Sequence, residues 1–262
     1  MNRFIANTED GLRDRVALVT GAGRGIGRRI AVGLASVGAH VALLARSEQE
    51  LADAAAEIEA DGGIATAIVA DVQDGDRLRG AVDRVRAQLG APVVLVNNAA
   101  VVAPLGPTQS LDPRVVATAM AVNVVAPITL SAMLLPDMLA AGWGRIVNIS
   151  SGIAATPAAM PGMTVYAASK AALEAHTLNL AAELTGSGIT ANAYRPGAVD
   201  TAMQQWIRDQ PRDQIGAALH DRFEAMHADG RLISPEQSAR GLLDRIAGQE
   251  SGQIWSVDDP TG

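Results

Sequence analysis

Tyr166 and Lys170 stand four residues apart in a stretch, 166–184, that reads as helix throughout. Four residues is close to one turn, so the two side chains share a face. A free tyrosine, with a pKa of about 10, is a poor base at neutral pH. An ammonium at about 4 Å, across an effective dielectric of about 20, favours the phenolate by at most ~4 kcal/mol. That predicts a fall of as much as about three pKa units, less what desolvation takes back. A tyrosine tuned in this way exchanges a proton with an alcohol near neutral pH. The same pair also occurs on ordinary amphipathic helices, so its surroundings decide its meaning.

Two other groups could join that chemistry. Ser150-Ser151 follow an apolar strand over 145–149, and the end of a parallel strand is where an open α/β sheet presents its site residues. A hydroxyl there can hydrogen-bond a carbonyl oxygen as negative charge develops on it, while its neighbour serves as a turn residue. Asn123 lies four residues before Pro127 within a long helical stretch. Proline has no N–H for the carbonyl four positions back, so a continuous helix leaves the Asn123 carbonyl without its usual donor. A kinked core helix is the plain alternative.

A third feature lies near the start of the chain. Thr20-Gly21-Ala22-Gly23-Arg24-Gly25-Ile26-Gly27 is preceded by apolar residues 16–19 and followed by Ile26, Ile30, Ala31 and Leu34 at helical spacing. A buried strand therefore enters a glycine turn and leaves as a helix. Such a turn aims backbone N–H groups and the positive end of a helix dipole at one point, which suits a pyrophosphate. The spacing is G-x-x-x-G-x-G, different from the commonest dinucleotide fingerprint.

The elements that must position these groups follow from patterning. Apolar stretches at 16–19, 40–45, 64–70, 92–96, 145–149, 189–193 and 253–257 read as strands, with helical sequence between them. Ser47 with Glu50 forms a capping box, Asp74 caps the next helix, and Asp112-Pro113 and Ser234-Pro235 pair a cap with proline at the first helical position. Alternating strands and helices, with near-continuously apolar strands, predict an α/β fold: one doubly wound parallel sheet of about seven strands in a single domain over 1–262.

Composition narrows the function classes. The chain has 262 residues, no cysteine and a formal net charge of −7. Disulfides and thiolate chemistry are excluded, a reducing, cytoplasmic setting is compatible, and neither nucleic acid nor a membrane surface is an expected partner. Residues 1–13 mix charges with few apolar residues and read as a flexible lead-in. The uncharged stretch 115–136 is long enough to suggest a membrane span. It also carries Asn123, Thr129, Ser131 and two prolines, which fit a helix buried between protein surfaces better.

Taken together the motifs resemble the short-chain dehydrogenase/reductase (SDR) family, in particular its 3-oxoacyl-ACP reductase-like members, over about residues 14–257. The resemblance rests on Thr20-Gly21-x-x-x-Gly25-x-Gly27, Asp71, Asn97-Asn98-Ala99, Asn123, Ser151, Tyr166-x-x-x-Lys170, and Pro196-Gly197 followed by Thr201. It implies a single Rossmann domain in which Asn123, Ser151, Tyr166 and Lys170 are catalytic. Tyr166 is then the acid/base, Ser151 rather than Ser150 orients the carbonyl, and Lys170 lowers the Tyr166 pKa and binds the ribose. Asn123 holds a water that completes a proton relay. The resemblance further implies that the cofactor lies on Thr20, Gly21, Gly23, Arg24, Gly25, Ile26, Gly27, Arg46, Ser47, Asp71, Val72, Asn98, Ala99, Ala100, Tyr166, Lys170, Pro196, Gly197, Val199 and Thr201. Asp71 would contact adenine, and Thr201 the nicotinamide amide or phosphates. Ala100 replaces the family's usual glycine, and the ending Asp258-Asp259-Pro260 replaces its Asp-Gly-Gly.

Selection of NAD places an acid at the end of the second strand. Here that position is Ala45, followed by Arg46, with Arg24 in the glycine turn. Two guanidiniums without that acid favour a 2′-phosphate, hence NADP(H), although Glu48 and Glu50 lie nearby. Residues 201–231 are expected to form a helical substrate lid with an apolar inner face. Ser151, Ile153, Met160, Tyr166, Met203 and Trp206 are the expected substrate contacts, for a substrate with an apolar body. His220 and His227 share a helical face without acids in register, so they read as solvent-exposed and no metal site is expected. The helices over 115–136 and 166–184 look apolar on more than one face, which with the resemblance implies a dimer or homotetramer.

The expected function is hydride transfer between NADP(H) and a small-molecule ketone or secondary alcohol. Two alternatives remain: a non-catalytic nucleotide-binding regulator on the same scaffold, and an epimerase or dehydratase using bound nicotinamide transiently. Turnover of a simple ketone rejects the first, and net cofactor consumption rejects the second.

Overall fold

The computed structural model describes residues 11–260. Its strands are β1 (Val16–Thr20), β2 (His40–Ala45), β3 (Ile64–Val69), β4 (Pro92–Asn97), β5 (Gly144–Ile149), β6 (Ile189–Arg195) and β7 (Ile254–Ser256). They form one seven-stranded sheet in the order β3-β2-β1-β4-β5-β6-β7, every pair parallel. The order reverses between β1 and β4, which opens a crevice at their C-terminal ends. Helices α1 (Gly25–Ser36), α2 (Glu48–Ala60), α3 (Gly75–Gln88), α4 (Pro113–Met120), α5 (Ala126–Ala141), α6 (Thr164–Glu183), α7 (Ala202–Arg208), α8 (Arg212–Ile215), α9 (Ala217–Ala228) and α10 (Pro235–Ile246) complete the chain.

Side chains alternate across each strand, so one strand feeds two cores. Ala17 and Val19 of β1 pack with Ile30, Leu34, Leu51 and Leu242 from α1, α2 and α10. Val16 and Leu18 pack on the opposite face with Leu78, Leu130, Leu134 and Leu180 from α3, α5 and α6. Central strands are buried along their whole length, while edge strand β3 leaves Ile64 and Val69 exposed. The expected α/β doubly wound sheet is thus the observed one.

Four helix starts carry the expected caps. The backbone N–H groups of Glu50, Arg77, Arg114 and Gln237 donate to Ser47 Oγ (3.3 Å), Asp74 Oδ1 (3.0 Å), Asp112 Oδ1 (2.8 Å) and Ser234 Oγ (3.1 Å). Only half of the Ser47/Glu50 box forms; the Glu50 carboxylate instead accepts from Arg24 at 3.3 Å. Strands β1, β4 and β6 run past the apolar patterning to Thr20, Asn97 and Arg195, since the backbone ladder continues regardless of side-chain polarity.

Three expectations need correction or refinement. The lead-in over 1–13 lies outside the described residues up to residue 10, but its end is docked: Leu12 is fully buried in the core, so the flexible reading fails for 11–13. The segment 201–231, expected as one helical lid, is three short helices, α7, α8 and α9, broken by Pro211 and by Gly216 at φ +91°. The run over Pro113–Ala141, uncharged from 115 to 136, is helical, and long and apolar enough to cross a membrane. It packs on the sheet instead, burying Leu130, Leu134 and Met138 in the core.

Leu43, fully buried beside Leu34 and Leu51 in the core beneath α1, is a direct probe of this packing. Leu43→Ala is expected to destabilise the fold by about 2–5 kcal/mol, read as a lower urea midpoint at unchanged slope.

Candidate active site

The glycine turn is shaped by how closely the β4 end approaches it. Gly21 has φ +64°, and a Cβ there would meet Asn98 Nδ2 at 2.9 Å and Ala99 Cα at 3.1 Å. Asn98 Nδ2 donates to the carbonyls of Thr20 (2.9 Å) and Gly21 (3.2 Å). Thr20 is itself buried, and its Oγ1 accepts from the N–H groups of Asn98 and Ala99, both at 3.0 Å. Thr20 therefore joins two turns rather than facing outward. Gly23 packs against Glu50, whereas Gly25 (φ +57°) looks into open space bounded by Thr201 Cγ2 at 3.5 Å from its added Cβ.

Helix α1 starts inside this turn, and no side chain among the described residues caps it; nor does its first turn hold an acid. The starts of α2, α3, α4 and α10 carry such caps, while those of α6 to α9 lack them as α1 does; α1 differs in starting inside the glycine turn at the C-terminal edge of the sheet. The leading N–H groups of α1 at Gly25, Ile26 and Gly27 are left to an external acceptor, and the dipole favours an anion. This open cradle fits the pyrophosphate of a dinucleotide.

At the other end of the crevice Ala45 closes β2, and both guanidiniums beyond it are exposed. Arg24 lies 3.3 Å from Glu50 and Arg46 4.0 Å from Asp71. Asp71 Oδ1 accepts from Gln73 N–H (3.0 Å), and Ser47 is occupied as the α2 cap. Val72 and Ala100 are half-buried nearby in sequence to these turns. On the far side Gly197 (φ +81°) sits where a Cβ would press on Val257 at 2.8 Å, and the Pro196 carbonyl accepts from Ser238 Oγ at 2.8 Å. Val199 is buried and bridges to Ile233, so Thr201 enters α7 from a fixed point.

The groups with chemistry converge on α6. Lys170 is 2% exposed, and its Nζ donates to the Ile149 carbonyl at 2.7 Å and lies 5.6 Å from the centre of the Tyr166 ring. Ser150 is buried and donates to Glu174 at 2.7 Å, which leaves the half-buried Ser151 as the serine beside Tyr166. Asn123 is fully buried, between α4 and α5. Its side chain pairs with both backbone groups of Val101 (2.9 and 2.8 Å) and donates to Ser169 Oγ at 3.0 Å; Ser169 in turn donates to the Tyr166 carbonyl at 2.8 Å.

The helix around Asn123 widens into a π-turn over Ala121–Val125, in which Ala126 N–H reaches five residues back to Ala121. Pro127 has no N–H to give, so the Asn123 carbonyl lacks a donor from that position. The sequence expectation of a break in the ladder is realised here as a widened turn rather than a kink.

One expectation changes sign in its net effect. Burial pushes the Tyr166 phenol up to about 12, against a partial pull downward from the Ser151 hydrogen bond. Burial likewise lowers Lys170 to about 8, while the Glu174 charge draws it back up. The physical reason is that the sequence argument counted the charge and not its cost. The ammonium is directed at a carbonyl and lies away from water, while the phenol beside it is partly buried.

The lid contacts also sort differently from expectation. Ile153 is buried in a cluster with Val102, Met163, Ile207, Leu219 and Phe223, so it packs the lid to the body. Met160, Tyr166 and Met203 are only partly buried at its margin. Trp206, 40% exposed, lines a groove of about 440 Å³ with Pro104, Leu105, Val115 and Ile215, and sits about 100° around the helix from Ile207. His220 is half-buried rather than exposed, 3.6 Å from Asp221.

Sequence reasoning missed Glu174 and Arg195. Arg195 grips Glu174 with Nε and Nη2, both at 2.8 Å. The available signals were that Glu174 follows Lys170 by one turn and that Arg195 precedes Pro196. A further signal was overlooked: of 21 basic side chains, Lys170 is the sole lysine.

With this geometry in view, comparison with known proteins is direct. Residues 15–212 match the short chain dehydrogenase family. The chain is 37% identical over 235 residues to a short chain dehydrogenase of Pseudocercospora fijiensis, covering 88% of this chain and 73% of that one. It is 36% identical over 207 residues to the 3-oxoacyl-[acyl-carrier-protein] reductase of Pseudomonas aeruginosa, covering 78% and 81%. Among solved structures it superposes on a gluconate 5-dehydrogenase from Burkholderia cenocepacia, in complex with NADP and tartrate, with a TM-score of 0.82, 31% identity and 97% of both chains covered. The chain therefore belongs to the short chain dehydrogenase family, whose members are NAD(P)-dependent oxidoreductases.

Proposed function

We propose that this protein is an NADP(H)-dependent reductase of ketones, reversible as a secondary-alcohol dehydrogenase, acting on substrates with an apolar body. The observation that carries the reading is the grouping of Ser151, Tyr166, Lys170 and Asn123 on and around α6, at the same C-terminal edge of the sheet as the uncapped start of α1. Bound nicotinamide would supply or accept the hydride.

The chain's own residues supply the rest. Ser151 Oγ hydrogen-bonds the carbonyl oxygen of the substrate as charge builds on it. Tyr166 delivers the proton to that oxygen in reduction. With its pKa at about 12 it is protonated at neutral pH, the state that reduction requires. Lys170 stabilises the phenolate left behind, and the Asn123 carbonyl receives the proton path through a water. Met160 and Met203 at the margin of the lid cluster favour an apolar body beside the carbonyl. Arg24 and Arg46 favour a 2′-phosphate on the adenosine ribose. Exposed Val125, Ile128, Leu139 and Leu178 on α5, α6 and the turn before them support a second copy of the chain as their cover.

Tyr166→Phe is expected to lower kcat by about 10²–10⁴-fold while NADPH still binds, read by its fluorescence. Loss of binding together with turnover would make Tyr166 a structural residue. Arg46→Asp is expected to move the kcat/KM ratio from NADPH towards NADH; an unmoved ratio rejects the NADP assignment.

Holding Lys170 in place costs stability. Its pKa of about 8 lies below the ordinary 10.5, so below pH 8 the folded state carries the full penalty. Between those values the unfolded chain binds more protons, and stability rises with pH. Lys170→Met is therefore expected to be more stable than the parent at neutral pH, by at most about 3 kcal/mol, with the gap closing towards pH 10.5. Denaturant midpoints measured across that range check the sign.

A further inference from the structure

Among the described residues the Glu174 carboxylate is the one buried anion, and its hydrogen bonds tie the proposed centre to its surroundings. It is 7% exposed on α6, one turn beyond Lys170. Its Oε1 accepts from Ser150 Oγ (2.7 Å) at the end of β5 and from Arg195 Nε (2.8 Å) at the end of β6; its Oε2 accepts from Arg195 Nη2 (2.8 Å). Ser150 precedes Ser151, and Arg195 precedes Pro196-Gly197. One carboxylate thus links the helix bearing Tyr166 and Lys170 to the serine turn and to the turn that leads into the lid.

Resting on the proposed function, we infer that Glu174, clamped by Arg195 and Ser150, is a positioning residue that keeps the buried Lys170 amine charged and holds α6 in register with the ends of β5 and β6. The argument is electrostatic. An ammonium out of water, held only by one carbonyl, would shed its proton, and a carboxylate one turn away opposes that loss. Arg195 works in the other direction: it neutralises part of the Glu174 charge and repels the ammonium. Among the described residues, the titratable and charged groups bearing on Lys170 are Tyr166 and Glu174 on its own helix and, through Glu174, Arg195 on β6. Asp259 acts on Arg195 from the C-terminal turn. From β5 and the π-turn, Lys170 meets the neutral Ile149 carbonyl, Ser150 and Asn123.

The sole lysine makes the test direct. Protein grown on carbon-13-labelled lysine gives one lysine side-chain signal, whose pH dependence in the cofactor-free protein reads Lys170 alone. In the parent, the midpoint is expected at about pH 8. Glu174→Gln is expected to lower it by about one pH unit or more, and Arg195→Gln to raise it by unmasking the carboxylate. Opposite shifts support the inference, because a clamp that only holds the fold together would move both variants the same way. Shifts of one sign, or none, overturn it. Thermal melting confirms that each variant folds. If Glu174→Gln does not, Glu174→Asp, which withdraws the charge by one methylene, is read in its place for a smaller downward shift. The alkaline limb of kcat/KM with NADPH is then followed. Opposite midpoint shifts with an unmoved limb uphold the positioning role and reject Lys170 as a participant in turnover, so the two readings fail separately.

Discussion

The Lys170 ammonium sits 2.7 Å from a backbone carbonyl, almost fully out of water, and much of the molecule exists to keep it there. A lone buried charge is costly, and it persists only where dipoles and counter-charges are already arranged around it. The carbonyl comes from the last residue of β5, whose place is fixed by parallel neighbours on both sides. The helix that carries the lysine is pinned along one face by Asn123 through Ser169, by Ser150 and Arg195 through Glu174, and by Asn148 through Thr177. Thr177, Asn148 and Asn97 continue that seam into the centre of the sheet. The polar stripe of α6 is thus an internal scaffold, which explains why a helix with so little one-sided amphipathicity packs in a single orientation.

The glycine turn follows the opposite logic. Where α6 is over-determined, the start of α1 is left incomplete. Four other helix starts are closed by a serine or aspartate hydrogen bond, and this one is not. The chain fixes the shape of the opening through Thr20 and Asn98 and leaves its N–H groups without internal acceptors. A site for an exchangeable anion requires that asymmetry, since an internal cap would compete with the ligand.

Much of this was legible in the residues. Strand positions, the four side-chain caps and the parallel order follow from apolar runs, local hydrogen-bonding chemistry and short connections, all of which are near-neighbour properties. The break at Asn123 was legible for the same reason: Pro127 removes a specific N–H whatever surrounds it. What stayed hidden depends on groups distant in sequence. Arg195 meets Glu174 across a strand and a helix, and no spacing rule connects them. The direction of Trp206 around α7 was also hidden, because it is set by Met203 and Ile207 packing on the cluster beneath, which turns Trp206 towards the groove beside Leu105 and Val115. The pKa of Tyr166 was misjudged because spacing announces the neighbouring charge while burial announces itself only once the chain is folded.

The chain also carries its positive charge almost wholly as arginine, with its single lysine sealed inside. Aldehydes and ketones condense with exposed primary amines to form imines, whereas a guanidinium is a far weaker partner for such compounds. A protein handling carbonyl compounds at high local concentration would, with an ordinary lysine-studded surface, be slowly decorated by its own substrates. This surface presents no side-chain amine to them, and the one side-chain amine the chain does carry is buried 5.6 Å from the centre of the Tyr166 ring.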